Sequence, residues 1–151
     1  GVPLIINDRV DVALAVGAEG VHLGQQDMPI SDARRLGPPG WIIGISAESV
    51  EDAMRAEREG ADYVGASPVF ATPTKADHAV PLGLEGLRRM RAAVRIPIVA
   101  IGGIHAGNAR EVMGAGADGL AVVSAIVAAE DPRAAAEELR RALAAAKGAA
   151  E

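Results

Sequence analysis

One short pattern recurs three times and constrains the fold of this chain more than any other feature. The sequences GAEGVHLG, GADYVGAS and GADGLAVV begin at Gly17, Gly60 and Gly116. Each follows a run typical of a helix and precedes an apolar, β-branched stretch typical of a strand. Glycine just after a helix takes the left-handed conformation that ends it, and an acidic residue suits the turn into a strand. The pattern therefore predicts one kind of helix-to-strand joint, used three times.

Strands and helices alternate along the whole chain. The predicted strands are Leu4–Ile6, Val21–Leu23, Ile42–Ile45, Tyr63–Gly65, Ile98–Ile101 and Leu120–Val123. The predicted helices are Asp11–Val16, Ser31–Leu36, Val50–Glu59, Leu84–Val94, Ala106–Gly114 and Arg133–Ala146, with Ser49 and Asp131 as N-caps of two of them. Because the strands are largely apolar on both faces, we expect them to be parallel and covered by helices.

Two α/β architectures fit this alternation, an open doubly wound sheet and a (β/α)8 TIM barrel. A dinucleotide-binding sheet would carry G-x-G-x-x-G after its first strand, and this chain does not. Polar residues instead follow strand after strand, which is typical of barrels, whose sites are built from loops at the carboxyl ends of many strands. The sequence therefore favours a single barrel domain over residues 1–151. A barrel has eight strands, so we expect this domain to be N-terminally incomplete.

Composition limits the classes of function. A net charge of −5 and 2% aromatic residues argue against nucleic-acid binding, which uses a basic face or stacking rings. No apolar run approaches the ~20 residues that cross a bilayer, and no basic leader precedes a cleavage-like site, so no membrane partner is expected. The absence of cysteine excludes disulfides and Cys-based zinc sites and suits a cytoplasmic protein.

The longest predicted loop is SPVFATPTKADHAVPLG, from Ser67 to Gly83. A long loop inside a compact domain usually has a function or no fixed structure. The hydroxyls of Thr72 and Thr74 and the charge of Lys75 suit phosphate binding, and they suit a solvated loop equally well.

Other polar residues lie at the ends of the predicted strands. Asp8 and Asp27 follow successive strands, where two carboxylates suit either Mg²⁺ with substrate phosphates or ordinary turns. Ser46 suits either a phosphate contact or a helix cap. Gly103 and Ser124 follow the last two strands, where barrels frequently bind phosphate through glycine amides and a short helix.

The histidines and aromatic residues are predicted to be structural. His22, His78 and His105 have no metal-ligand spacing, and Trp41, Tyr63 and Phe70 suit core or rim packing.

Seven segments, in order and spanning nearly the whole chain, resemble the thiamine-phosphate synthase (thiamine-phosphate pyrophosphorylase) family. They are LIINDR, GVHLGQQDMP, IIGIS, DYVGASPVFATPTK, PLGLEGL, IPIVAIGGI and GLAVVSAI. The resemblance implies a (β/α)8 barrel transferase that couples a hydroxymethylpyrimidine diphosphate to a thiazole phosphate and releases pyrophosphate. LIINDR corresponds to the third strand of that barrel, so this chain would supply strands 3 to 8. An Arg-x-Lys-type pair on the second strand, which grips the diphosphate, would have no counterpart here.

The resemblance also assigns roles to individual residues. It implies that Mg²⁺ is the cofactor, with Asp8 and Asp27 as its ligands, and that Ser46 and Lys75 contact the diphosphate and serve catalysis. The other substrate-binding residues that it implies are Asn7, Thr72, Pro73, Thr74, Gly103, Val123 and Ser124. The expected partners are these two small substrates, and the oligomeric state stays open. The chemistry implied is ionisation of the diphosphate and attack by the thiazole nitrogen, without a protein nucleophile.

Three alternatives remain open from the sequence. A related barrel, the thiazole tautomerase, tends to lose the pyrimidine-site residues and carries a histidine near SPVF, where this chain has Ser67 and Pro68. Another phosphate-binding isomerase or aldolase barrel would need a strand-end lysine or carboxylate dyad, which the sequence does not contain. An inactive barrel fragment that serves as a binding partner is the third.

Overall fold

The structure is a computed structural model, and it describes residues 1–72 and 80–147. Six parallel strands form one sheet in chain order: β1 (Ile5–Asn7), β2 (Gly20–Leu23), β3 (Ile42–Ala47), β4 (Tyr63–Ala66), β5 (Ile98–Ile101) and β6 (Gly119–Ala121). The helices of the described residues are α1 (Val10–Ala15), α2 (Ile30–Leu36), α3 (Val50–Glu59), α4 (Gly83–Ala93), α5 (Ala106–Gly114), α6 (Ser124–Val127) and α7 (Pro132–Lys147). The fold is an α/β partial TIM barrel, as predicted.

The number of predicted strands and the order of the predicted elements agree with the structure. The bounds of α3, α5 and β5 are those predicted, and the other predicted elements shift by a residue or two at their ends. Helix α6 was not predicted, because its four residues are too few to show a helical period. Strand β6 ends at Ala121 rather than at Val123, since the backbone of Val123 turns into α6.

The sheet has one face packed against the helices and one inner face. Residues that alternate along β2 to β5 lie on the helix-covered face and are almost fully buried: Val21, Leu23, Ile43, Ile45, Val64, Ala66, Ile98 and Ala100. Because successive side chains of a strand point to opposite faces, the residues next to these in each strand lie on the inner face. Three of these are polar or titratable, namely His22, Ser46 and Tyr63. The inner face is therefore less apolar than the sequence pattern suggests.

The three recurring joints have the predicted backbone. Gly17, Gly60 and Gly116 have φ of 65°, 92° and 106°, the left-handed region in which glycine avoids a steric cost. The predicted N-caps also form, since the Ser49 hydroxyl accepts from the Asp52 amide at 3.1 Å and the Asp131 carboxylate from the Ala134 amide at 3.0 Å. In residues 1–72 and 80–147, no helix has the length and apolar character to cross a membrane.

Candidate active site

The carboxyl ends of the parallel strands meet at one edge of the sheet, and the candidate residues lie at this edge. Asn7 is the last residue of β1, and Ser46 lies next to the last residue of β3. Asp8, Asp27, Thr72, Gly103 and Val123 lie in the loops after β1, β2, β4, β5 and β6, and Ser124 begins α6. Pro73, Thr74 and Lys75 lie outside the described residues. Each described candidate therefore has the position that the barrel prediction requires.

Asp8 turns the chain sharply at the end of β1. Its φ is 62°, and it is the one non-glycine residue with positive φ among the positions that the structure describes. Its amide donates to the carbonyl of His22 on the neighbouring strand at 2.8 Å. Aspartate tolerates the left-handed region better than most residues, and such conformations cluster at functional sites. The turn holds Asp8 beside the end of β2.

Asp27 lies in the loop that follows β2. One carboxylate oxygen, Oδ2, accepts from the Gly24 amide at 2.6 Å and so orients the side chain. In the same loop, Gln25 donates to the carbonyl of Ser46, and Arg55 from α3 donates to Gln25. The loop after β2 is thereby tied to the end of β3, and Asp27 and Ser46 belong to one connected edge.

The loop after β4 packs on the glycine turn after β5. The amides of Val69 and Phe70 donate to the carbonyls of Ile101 and Gly102, at 2.9 and 3.1 Å. Gly103 has φ of 64°, and a Cβ added there would lie 2.8 Å from Cβ of Phe70. This close packing places Phe70 and Ala71, which directly precede Thr72, beside Gly103. Thr72 and Gly103 were both predicted to bind substrate.

The segment after β6 is open to solvent. Val123 is 51% exposed, and Ser124 is also exposed at the start of α6. The short helix α6 follows the last strand, a position at which TIM barrels frequently bind phosphate.

Two residues of the inner face form a hydrogen-bonded row with the candidate residue Ser46, and neither was predicted as a site residue. The hydroxyl of Tyr63 lies 2.9 Å from Nδ1 of His22, and Nε2 of His22 lies 3.0 Å from the hydroxyl of Ser46. Burial raises the pKa of Tyr63, so its hydroxyl keeps its proton. The alternation of β2 carried the signal, because it places His22 on the face opposite Val21 and Leu23. The predictions that His22 is structural and that Tyr63 serves core or rim packing did not include this contact.

The candidate ligands for Mg²⁺ at this edge are two carboxylates, those of Asp8 and Asp27. Within the described ranges, no group of three or more His, Cys, Asp or Glu side chains is arranged to hold a metal. Mg²⁺ does not require such a cage, since it is commonly bound by one or two carboxylates with substrate phosphates and waters. The two candidate carboxylates, Asp8 and Asp27, lie in the loops after the adjacent strands β1 and β2.

Known proteins resemble this chain over most of its length. The family model TMP-TENI, described as thiamine monophosphate synthase, matches residues 1–126. The chain belongs to the thiamine monophosphate synthase family. A thiamine-phosphate synthase of Albidiferax ferrireducens is 64% identical over 141 residues, which cover 93% of this chain and 64% of the relative. One of Chloroflexus aurantiacus is 62% identical over 140 residues, with the same two shares.

The chain therefore spans about 64% of the length of these curated relatives of the thiamine monophosphate synthase family. A solved structure, the thiamine phosphate pyrophosphorylase from Pyrococcus furiosus, superposes with a TM-score of 0.87 at 53% identity. The match covers 94% of this chain and 67% of the Pyrococcus furiosus chain. The predicted family and the predicted barrel fold are thus confirmed, and the roles of single residues stay predictions.

Proposed function

We propose that this chain forms the substrate-binding edge of a thiamine-phosphate synthase. The reaction couples 4-amino-2-methyl-5-hydroxymethylpyrimidine diphosphate to thiazole phosphate and releases pyrophosphate. The observation that carries the proposal is the 64% identity to a thiamine-phosphate synthase over 93% of the chain. Its geometric support is that the described candidate residues all lie at the carboxyl edge of one parallel sheet.

The two substrates would occupy different parts of this edge. Thiazole phosphate would bind where the loop after β4 meets the glycine turn after β5, through Thr72, Pro73, Thr74, Gly103, Val123 and Ser124. The pyrimidine diphosphate would bind near β1 and β3, through Asn7 and Ser46, and Lys75 would be a further contact. The packing of Phe70 on Gly102 supports this division, because it fixes one end of the loop after β4 beside the proposed thiazole site.

Asp8 and Asp27 are the residues that would hold Mg²⁺. When bound, the ion supplies positive charge that stabilises the departing diphosphate. The hydrogen bond from the Gly24 amide to Oδ2 of Asp27 fixes the carboxylate before any ligand arrives, which lowers the entropic cost of binding.

The chain's own residues would position the substrates and stabilise charge. The bond from the pyrimidine methylene to the diphosphate breaks first, and the thiazole nitrogen then attacks the resulting cation. Ser46 would donate a hydrogen bond to the diphosphate, and Lys75 would supply a positive charge. These are contacts to the group on which negative charge develops, so they serve catalysis without a covalent intermediate on the protein.

The test is a calorimetric titration of the chain with pyrophosphate, with and without Mg²⁺. We expect tighter binding with Mg²⁺, and we expect Asp8→Asn and Asp27→Asn each to remove most of the difference. Losing one charged contact corresponds to roughly 10- to 100-fold in affinity.

Glu138→Gln is the matched control, because it removes the same charge from an exposed position on α7. It should leave the effect of Mg²⁺ unchanged. Equal affinity with and without Mg²⁺ in the unmodified chain would contradict the assignment of the two aspartates.

A further inference from the structure

Three side chains form a continuous hydrogen-bonded row on the inner face of the sheet. Tyr63 begins β4, His22 lies in β2, and Ser46 lies near the end of β3. The distances are 2.9 Å from the Tyr63 hydroxyl to Nδ1 and 3.0 Å from Nε2 to the Ser46 hydroxyl. Only Ser46 has a part in the proposed function, which leaves the other two residues of the row without a role.

We propose that Tyr63 and His22 are positioning residues, which direct the proton of the Ser46 hydroxyl toward the diphosphate of the substrate. This inference rests on the proposed function of Ser46 as a diphosphate contact. It adds to that function a means by which the hydroxyl is held as a donor before the substrate arrives.

The sequence makes room for both rings on the inner face. A Cβ on Gly44, which pairs with Tyr63 in the β3–β4 register, would lie 2.0 Å from Cζ of Tyr63. A Cβ on Gly65 would lie 2.9 Å from Cε1 of His22. The two rings pack with centroids 5.4 Å apart, tilted by 32°. Because neither glycine can be enlarged without moving a ring, the row is built into the packing of three strands.

Proton counting allows two directions for the row, and the inference requires the one in which Tyr63 donates to His22. The Tyr63 hydroxyl keeps its proton because burial raises its pKa, and it can donate to Nδ1. Nε2 then carries the imidazole proton and donates to the Ser46 oxygen, so the hydroxyl proton of Ser46 is available to an anion. In the opposite arrangement, Ser46 donates to Nε2 and presents only lone pairs to the diphosphate, which would repel it. A bound anion therefore favours the first arrangement.

The row also joins the two halves of the proposed pyrimidine site. His22 pairs in register with Asn7 on β1, and its carbonyl accepts from the amide of Asp8. Through its side chain the same residue reaches Ser46 on β3. A change at His22 would therefore affect the first and third strands together, whereas a change at Tyr63 reaches the site only through His22 and Ser46.

The tautomer of His22 is the first readout, and it needs no ligand. Long-range ¹⁵N–¹H correlation spectra of the ¹⁵N-labelled chain separate the two neutral tautomers, and His22→Gln assigns the signal among the three histidines. We expect the Nε2–H form in the unmodified chain and a loss of that preference in Tyr63→Phe. A predominant Nδ1–H form in the unmodified chain would overturn the inference.

Binding of pyrophosphate with Mg²⁺ is the second readout. We expect Tyr63→Phe to weaken affinity by roughly 3- to 10-fold, the size of one net hydrogen bond, and Ser46→Ala to weaken it at least as much. The double variant should match Ser46→Ala, because Tyr63 acts through Ser46. Ser49→Ala is the control, since it removes a hydroxyl that caps α3 and lies off the inner face.

The outcomes separate the two proposals. If Ser46→Ala weakens binding but Tyr63→Phe has no effect, or adds independently to Ser46→Ala, the positioning role is wrong and the proposed function stands. If Ser46→Ala leaves affinity unchanged, the diphosphate role of Ser46 and the positioning role both fail.

Discussion

At Gly103 both the backbone conformation and the packing of a neighbouring loop require glycine. Its φ is 64°, and an added Cβ would lie 2.8 Å from Cβ of Phe70 and 2.9 Å from the carbonyl oxygen of Ala71. The side chain of Asn108 donates to its carbonyl at 2.9 Å and ties the turn to α5. The turn therefore has little freedom to move away from a larger residue.

We expect Gly103→Ala to destabilise the chain by roughly 1–3 kcal/mol, through left-handed strain and contact with the loop after β4. The displaced loop should also bind thiazole phosphate more weakly. Denaturant unfolding measures the first effect and calorimetric titration with thiazole phosphate the second.

Gly114→Ala is the control for this substitution. Gly114 ends α5, and an added Cβ there meets nothing within 4 Å. Alanine should be neutral or stabilise by up to about 1 kcal/mol, because it favours helix. Equal unfolding free energies for the two variants would contradict the role given to Gly103.

Local sequence predicts the contacts of a single residue well when its partner is close in the chain. Ser49 and Asp131 were predicted as caps, and their partners lie three residues away. The contact of His22 with Ser46 joins positions 24 apart, and that with Tyr63 positions 41 apart. Such contacts depend on strand register, which a single sequence leaves unspecified.

At the scale of elements, the acidic residue of each joint does more than favour a turn. The carboxylates of Glu19, Asp62 and Asp118 accept from the amides of Leu4, Ile43 and Ile98, at 2.8, 2.7 and 2.8 Å. Each bond reaches the beginning of the preceding strand in the sheet. The backbone hydrogen bond from Leu4 lowers the pKa of Glu19. The joints thus fasten neighbouring strands together.

Two of the joints add an arginine from the helix that precedes the partner strand, not from the helix that ends at the joint. Arg34 of α2 pairs with Asp62 at 2.8 Å, and Arg91 of α4 pairs with Asp118 at 2.9 Å. The arginines also donate to backbone carbonyls. Arg34 donates to those of Trp41 and Gly60, and Arg91 donates to that of Val94. The sequence predicted the joint but not this network, because the partner strand begins about 20 residues earlier.

We expect Asp62→Ala to destabilise the chain by roughly 1–3 kcal/mol, because it leaves the Ile43 amide without its acceptor and removes the carboxylate that pairs with Arg34. Asp62→Asn should cost less, since an amide oxygen can still accept from Ile43. Denaturant unfolding at neutral pH measures both.

Asp32→Ala provides the comparison for an ordinary surface ion pair. Asp32 pairs with Arg35 at 3.1 Å on the exposed side of α2, and such pairs contribute at most about 1 kcal/mol. If Asp32→Ala and Asp62→Ala were equally destabilising, the joint would have no special role in holding the strands.

At the scale of the whole molecule, the hydrophobic periods and the loop chemistry were enough to predict six parallel strands and a partial barrel. Those features repeat in every strand–helix unit, so an error in one unit does not change the fold. Closure of the barrel is different, because it depends on which strands lie beside the two outermost strands of the sheet. β1 and β6 are the outer strands of the described sheet. Val2, Leu4 and Val16 are exposed by 92, 51 and 58%, near β1, and Val127 by 75%, near β6.

The last prediction concerns these two edges. Unpaired strand edges and exposed apolar side chains promote association, and a TIM barrel has eight strands. We expect the 151-residue chain to associate in solution, to bind thiazole phosphate weakly and to form no detectable thiamine phosphate. Two further strand–helix units ahead of Gly1, roughly 50 to 60 residues, should give a monodisperse barrel with turnover. Light scattering and product formation measure the two effects. A Gly/Ser segment of equal length is the control and should restore neither; a monodisperse, fully active 151-residue chain would contradict the prediction.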